Sequence, residues 1–433
     1  MKRASFLATA LLGACAALAI AGPASAQDFA ITNATVALGD GSDPIPGGTV
    51  VVRGGKVAAA GANVPAPAGV PVIDGTGKWV SPGLFATLTD LGLYDVDAVG
   101  QSRDISASRS PFSAALDVAP AINPLSQHIK VSRAGGVTRA TVAPRSGNSI
   151  FSGQGAVIDL DADHAPVVKA RAFQYVELGE AGGALAGGSR TAAYVQLKNA
   201  LAEAADLAAR GRNDDVLLNR PDAAALIPVV NGQQPLYVHV ERSADILSVL
   251  ALKQEYPRLD LIIAGASEGW MVAPQIAAAR VPVIAVALND LPAQFELLGT
   301  TQSNVGRMAK AGVKVAIGHF YGMNQPRYAP QQAGNLVALG KLPGASGLTW
   351  GQAFAAITSI PAEISGMGGR YGVLKQGAAG DVVIWDGDPL EISSAPLRVF
   401  IDGVEQPLDN HQTRLRDRYG TPAEGDLPKA YDW

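Results

Sequence analysis

The sequence predicts an α/β protein: a (β/α)8 TIM-like barrel joined to a small β-sandwich domain built from both ends of the chain. Two observations carry this expectation. In the middle of the chain, apolar segments PLYVHV (235–240), LDLIIAG (259–265), VPVIAVA (281–287) and VKVAIG (313–318) alternate with helical stretches at 243–256, 267–280 and 305–312. Each segment is apolar throughout rather than at every second residue, as strands are when both faces of a parallel sheet are buried. The second observation is that the two ends share a different grammar, short β-branched runs broken by glycine turns.

Taken in order, residues 1–26 read as a signal peptide. Lys2 and Arg3 precede an apolar run, and Ala24-Ser25-Ala26 supplies the small residues of a cleavage site. Cleavage near Ala26 implies a periplasmic or secreted protein. The single cysteine lies inside this leader, so the mature chain can form no disulfide. Residues 27–81 read as strands, with Gly54-Gly55 as a two-residue hairpin turn between TVVVR and KVAAAG. Residues 376–405 repeat the pattern, with turns at Asp386-Gly387 and Asp402-Gly403, and are expected to complete the same sandwich. Residues 82–375 form the barrel and 406–433 a C-terminal tail.

The chain has 433 residues, 48% hydrophobic and 17% charged, which suits a folded core rather than disorder. A net charge of −4 and the absence of basic runs argue against nucleic acid as a partner. No stretch after the leader is apolar for the roughly 18 residues of a membrane span. The expected partner is a small molecule, and a homo-oligomer is left open.

Two motifs make the reading specific. The entry Gly77-Lys78-Trp79-Val80-Ser81-Pro82-Gly83-Leu84 and the exit running from Gly372 to Pro389 resemble the amidohydrolase superfamily, in particular its imidazolonepropionase-like branch. The resemblance covers nearly the whole mature chain. It implies a barrel hydrolase of non-peptide C–N bonds, cyclic amides among them, using a divalent metal such as zinc. The metal would lower the pKa of a bound water and polarise the carbonyl.

The ligands that the resemblance implies are mostly missing. An H-x-H pair on the first barrel strand would point both rings to one side, and here those positions hold Thr87 and Thr89. The fifth-strand histidine matches His239. A sixth-strand histidine is replaced by Ala264 or Gly265, and an eighth-strand aspartate by Phe320 or a neighbour. His239 is the one surviving metal ligand, so zinc is expected to be weakly held or absent. Histidines restored at 87 and 89 would raise the count to three.

The candidate catalytic residues are therefore His239 and His319. The candidate substrate-binding residues are Thr87, Thr89, Arg145, Asn148, Glu268 and Phe320, with Arg145 and Asn148 in a glycine-rich loop at 144–157. A second metal arrangement drawing on His239, His319, Glu241, Asp90 and Glu268 stays open, as does the plainer reading of His239 as a hydrogen-bonded histidine in a polar pocket. No G-x-S-x-G elbow or cysteine nucleophile replaces the metal. Two functions remain: a C–N hydrolase with a site rebuilt around His239, or an inactive small-ligand-binding protein on the same scaffold.

Overall fold

The computed structural model describes residues 26–210, 216–322 and 325–420. Apart from Ala26, the expected leader lies outside the described residues, as does the tail from 421 to 433. Five strands come from the front of the chain: β1 (Phe29–Val36), β2 (Ile45–Arg53), β3 (Lys56–Gly61), β4 (Val72–Asp74) and β5 (Trp79–Pro82). Eight follow in the middle: β6 (Leu84–Thr89), β7 (Val137–Val142), β8 (Phe151–Asp159), β9 (Val167–Glu177), β10 (Leu236–Val240), β11 (Leu261–Gly265), β12 (Val283–Ala285) and β13 (Val315–Phe320). The last are β14 (Val382–Trp385), β15 (Pro396–Ile401) and β16 (Val404–Glu405).

Strands from both ends join one sheet in the order β16-β15-β14-β5-β1-β2-β3, with β4 beside β1. Gly54 and Gly55 turn β2 into β3 with φ of 53° and 75°, and Asp402-Gly403 turn β15 into β16 with φ of 49° and 76°. Both pairs have the left-handed conformation of the tight hairpin turns that favour glycine, asparagine and aspartate. Apolar residues from the two ends pack together, and the Phe29 and Phe400 rings lie 4.4 Å apart.

The barrel closes in the order β10-β11-β12-β13-β6-β7-β8-β9. Seven strands run parallel, but β8 is antiparallel to both β7 and β9. The glycine-rich stretch expected as a loop over 144–157 is therefore a loop only as far as Ile150, and β8 after that. Its glycines serve contact rather than flexibility: a Cβ on Gly155 would sit 2.1 Å from the Phe173 ring of β9. The interior is filled by Phe85, Leu88, Tyr175, Tyr237, Ile262, Ala264, Ile284 and Ala316, and the Phe173 and Tyr237 rings stack at 4.2 Å. The alternate strand residues, such as Val238 and Ile263, pack outward in a separate core shared with helices such as Arg190–Arg210 and Ser243–Glu255. Among the described residues no helix is long and apolar enough to cross a membrane.

Candidate functional site

Side chains at the carboxyl ends of the strands converge on a cavity of about 590 Å³. Its walls include the polar Arg145, Tyr175, Glu177, His239, His319 and Tyr321 and the apolar Pro144, Ala181, Ala184 and Leu185. In parallel barrels this is the end where loops gather and ligands bind.

The register of β9 and β10 sets Glu177 directly beside His239. The Nδ1 of His239 makes a very short hydrogen bond to Oε1 of Glu177, and its Nε2 lies 3.0 Å from Oε1 of Glu241. Carboxylates only accept hydrogen bonds, so both ring nitrogens must carry protons and His239 is an imidazolium. Burial alone would lower its pKa, but the charges and hydrogen bonds of Glu177 and Glu241 hold it well above the ordinary histidine value. For Glu241, burial pushes upward, and the hydrogen bond and charge of His239 outweigh it, leaving the carboxyl below its usual range. The second oxygen of Glu241 accepts the Ser267 backbone N–H at 2.8 Å.

Glu241 also explains the missing sixth-strand ligand. Ala264 is the register partner of His239 on β11, and a Cβ on the next residue, Gly265, would lie 2.7 Å from the Glu241 carboxyl. The carboxylate takes the space that a side chain at 265 would need.

His319 stands opposite, its ring 5.5 Å from that of His239. It forms a hydrogen bond with the Ile284 backbone, and its buried Nε2 has no partner. Burial and then the His239 charge push its pKa down to about 4. At neutral pH it is an uncharged imidazole with one nitrogen free. Tyr321 meets the His319 ring edge-on at 5.9 Å and shares a hydrogen bond with Tyr175. The Arg145 guanidinium lies 5.0 Å from the centre of the Tyr321 ring and is bound to Asp90 at 2.5 Å.

The structure thus brings together three of the expected site residues, His239, His319 and Arg145, and places the other five elsewhere. Thr87 and Thr89 are fully buried and their hydroxyls are engaged by Thr141, Thr87 at 3.0 Å from its Oγ1 and Thr89 at 2.9 Å from its carbonyl. The alternation that would aim positions 87 and 89 alike is broken by Leu88, whose φ is 55°. His319 has the same left-handed backbone, φ 63°, and Phe320 beyond it packs into the core outside the barrel. Such a conformation costs a non-glycine residue about 1–2 kcal/mol. Asn148 donates to the Ser110 carbonyl. Glu268 caps the helix Ser243–Glu255, accepting the backbone N–H and hydroxyl of Ser243 at 2.9 and 3.0 Å, and also the Gly299 N–H.

Sequence reasoning missed Glu177, Tyr175 and Tyr321. The signal for the first two was β9 itself, whose polar-apolar mixture hid a strand ending in an acid. Among the described residues, the one trio of acidic or histidine side chains with ligand atoms all within 4.8 Å of one another is Asp159, Asp161 and Asp163. It lies at the turn from β8 to β9, the opposite end of the barrel.

Comparisons with known proteins agree with this architecture. Residues 258–404 match the model of an amidohydrolase family. A curated relative, the amidohydrolase tasK of Hapsidospora irregularis, is 24% identical over 83% of this chain, which spans 40% of the relative's length. An amidohydrolase structure from Thermotoga maritima MSB8 superposes with a TM-score of 0.77 at 24% identity, covering 87% of this chain and 99% of that one. Phenylurea hydrolase B superposes at 0.55 with 15% identity, over 88% and 96% of the two chains.

Proposed function

We propose that this chain, whose residues 258–404 match an amidohydrolase family model, is an exported amidohydrolase-type hydrolase of C–N bonds in small molecules whose site is rebuilt, without a resident metal, around His239. The observation that carries the reading is the clamp of His239 between Glu177 and Glu241. With both nitrogens protonated, the ring has no lone pair for a cation, and Thr87, Thr89, Ala264 and Phe320 supply no replacement donors. These residues do not fit a zinc site.

The group left to move a proton is His319. Its free Nε2 is placed to take a proton from a water as that water's oxygen attacks the substrate carbonyl carbon. As the C–N bond breaks, the same nitrogen returns the proton to the leaving nitrogen. Arg145, whose buried Nε has no partner, is the donor available to the developing oxyanion. His239 holds charge and shape and does not itself react.

A second reading, a binding protein without turnover, is favoured by one observation: a base with a pKa of about 4 is weak. One experiment separates the two. The mature protein, treated with a chelator and shown by elemental analysis to be free of metal, is assayed against a panel of small amides, anilides and ureas. Turnover that survives chelation and is lost in His319→Gln supports the hydrolase. Binding without turnover supports the second reading, and activity that returns only with added zinc overturns the metal-free site.

A further inference from the structure

The cavity lining holds two chemical kinds of residue, and their composition bears on what it binds. Glu177, His239 and Arg145 line the cavity, and behind them Glu241 bonds His239 and Asp90 bonds Arg145, so three carboxylates surround two cations. An anionic group there would add to the excess of negative charge, whereas a neutral group with both a donor and an acceptor meets unused partners. Arg145 Nε is a buried donor with nothing to bond, and His319 Nε2 a buried acceptor in the same state. They flank one ring, that of Tyr321. Unpaired buried polar atoms are costly, and a ligand that satisfies both gains accordingly.

The rest of the lining is largely apolar. Ala181, Ala184 and Leu185 face the cavity from the helix Gly179–Leu185, with Pro144 near them. The turn Phe295–Leu297 is clipped to the start of that helix by a reciprocal pair: the Glu180 N–H donates to Glu296 at 2.7 Å, and the Glu296 N–H to Glu180 at 3.1 Å. Beside the clip, Leu291, Phe295 and Leu298 are 73%, 83% and 65% exposed. Ala181, Ala184 and Leu185 form a short apolar track in the cavity wall. The clip between the helix and the turn depends on Gly179, whose φ is 64° and where a Cβ would lie 2.5 Å from the Glu296 carboxylate.

We propose that the cavity takes a neutral carboxamide carrying an apolar acyl arm, the amide set between Arg145 and His319 and the arm laid along Ala181, Ala184 and Leu185. This rests on the reading of the barrel mouth as a small-molecule site and adds to it the substrate class. The apolar track selects for arm length, and the charge balance among the polar residues selects against free acids.

The test is a titration of the mature protein with straight-chain primary amides from acetamide to octanamide, read by calorimetry and, for the weakest, by ligand-observed NMR. The expected result is affinity rising up to about fourfold per added methylene until the track is filled, with octanoate at least tenfold weaker than octanamide. Ala184→Trp should end the rise at a shorter arm while acetamide binding is unchanged. Leu185→Ala, a milder change, should weaken octanamide about fivefold and spare acetamide. If acetamide binds but affinity is flat with arm length, or if neither variant moves the series, the apolar arm is wrong and the small-molecule site stands. If octanoate matches octanamide, the neutral head is wrong. If no amide of any length binds, the small-molecule reading fails and this inference with it.

Discussion

Arg139, on the second barrel strand, is gripped by Asp381 of the exit motif through two parallel hydrogen bonds, Nε to Oδ2 at 2.7 Å and Nη2 to Oδ1 at 2.9 Å. Arg139 is 1% exposed, Asp402 takes a further bond from Nη2 at 2.7 Å, and the Tyr371 ring lies 4.2 Å from the guanidinium. This buried fork ties the barrel to the sheet built from the chain ends. Removing one partner leaves the other charged and unpaired, which typically costs about 3–5 kcal/mol. Arg139→Met should lose stability on that order in urea unfolding. Arg139→Lys should recover little, since an ammonium cannot reproduce the planar fork.

The same relationship bears on truncation. A chain ending before Ala379 loses Asp381 and the strand β14, which pairs with β5 along Pro82, Ser81, Val80 and Trp79. The exposed edge of β5 is apolar and unpaired, a template for aggregation. Such a truncation is expected in the insoluble fraction, and a soluble, cooperatively unfolding product would show that the two ends do not depend on each other.

Much of this architecture was legible in the residues. Strands β10, β11 and β13 announce themselves because both faces are buried, and the hairpins because Gly54-Gly55 and Asp402-Gly403 supply turn chemistry. β8 was not, because its glycines answer to the Phe173 ring across the strand pair rather than to any local preference. The site was legible only in part for a related reason. A leucine at 88 and a histidine at 319 leave no sequence mark of a left-handed backbone, yet those two angles decide which side chains face the mouth.

That difference changes the expectation for zinc. Thr87→His with Thr89→His would bring three histidines together only if strand alternation held and His239 had a nitrogen to offer, and neither condition is met. The double variant should bind zinc no more tightly than the wild type by competition with a chromophoric chelator. Adding Glu177→Gln and Glu241→Gln releases His239 but leaves the Leu88 backbone as it is, so the quadruple variant should also fall short of a tight three-histidine site.

Glu268 separates a structural role from a binding one. Its carboxylate satisfies the first turn of the helix Ser243–Glu255, so Glu268→Ala should cost about 1–2 kcal/mol of stability. Ligand affinity at the mouth should be unchanged in calorimetry. A loss of affinity with unaltered stability would return Glu268 to the binding site.

The last prediction concerns acid. The pKa of His319 is about 4 in the folded protein, against about 6.5 for a free histidine. Between those values the unfolded chain binds the proton and the folded chain does not, so protonation favours unfolding. The contribution of neutral His319 is therefore complete above about pH 6.5 and is lost as pH falls toward 4. His239 has the opposite sign: its folded value is raised, so its contribution is complete below about pH 6.5 and is lost only as pH rises through that raised value. Urea midpoints measured from pH 4 to pH 8 should fall more steeply on the acid side for wild type than for His319→Gln. His239→Gln should differ from wild type by less as the pH climbs through the folded value. Parallel acid limbs for wild type and His319→Gln would mean that His319 is not the buried neutral base on which the proton transfer depends.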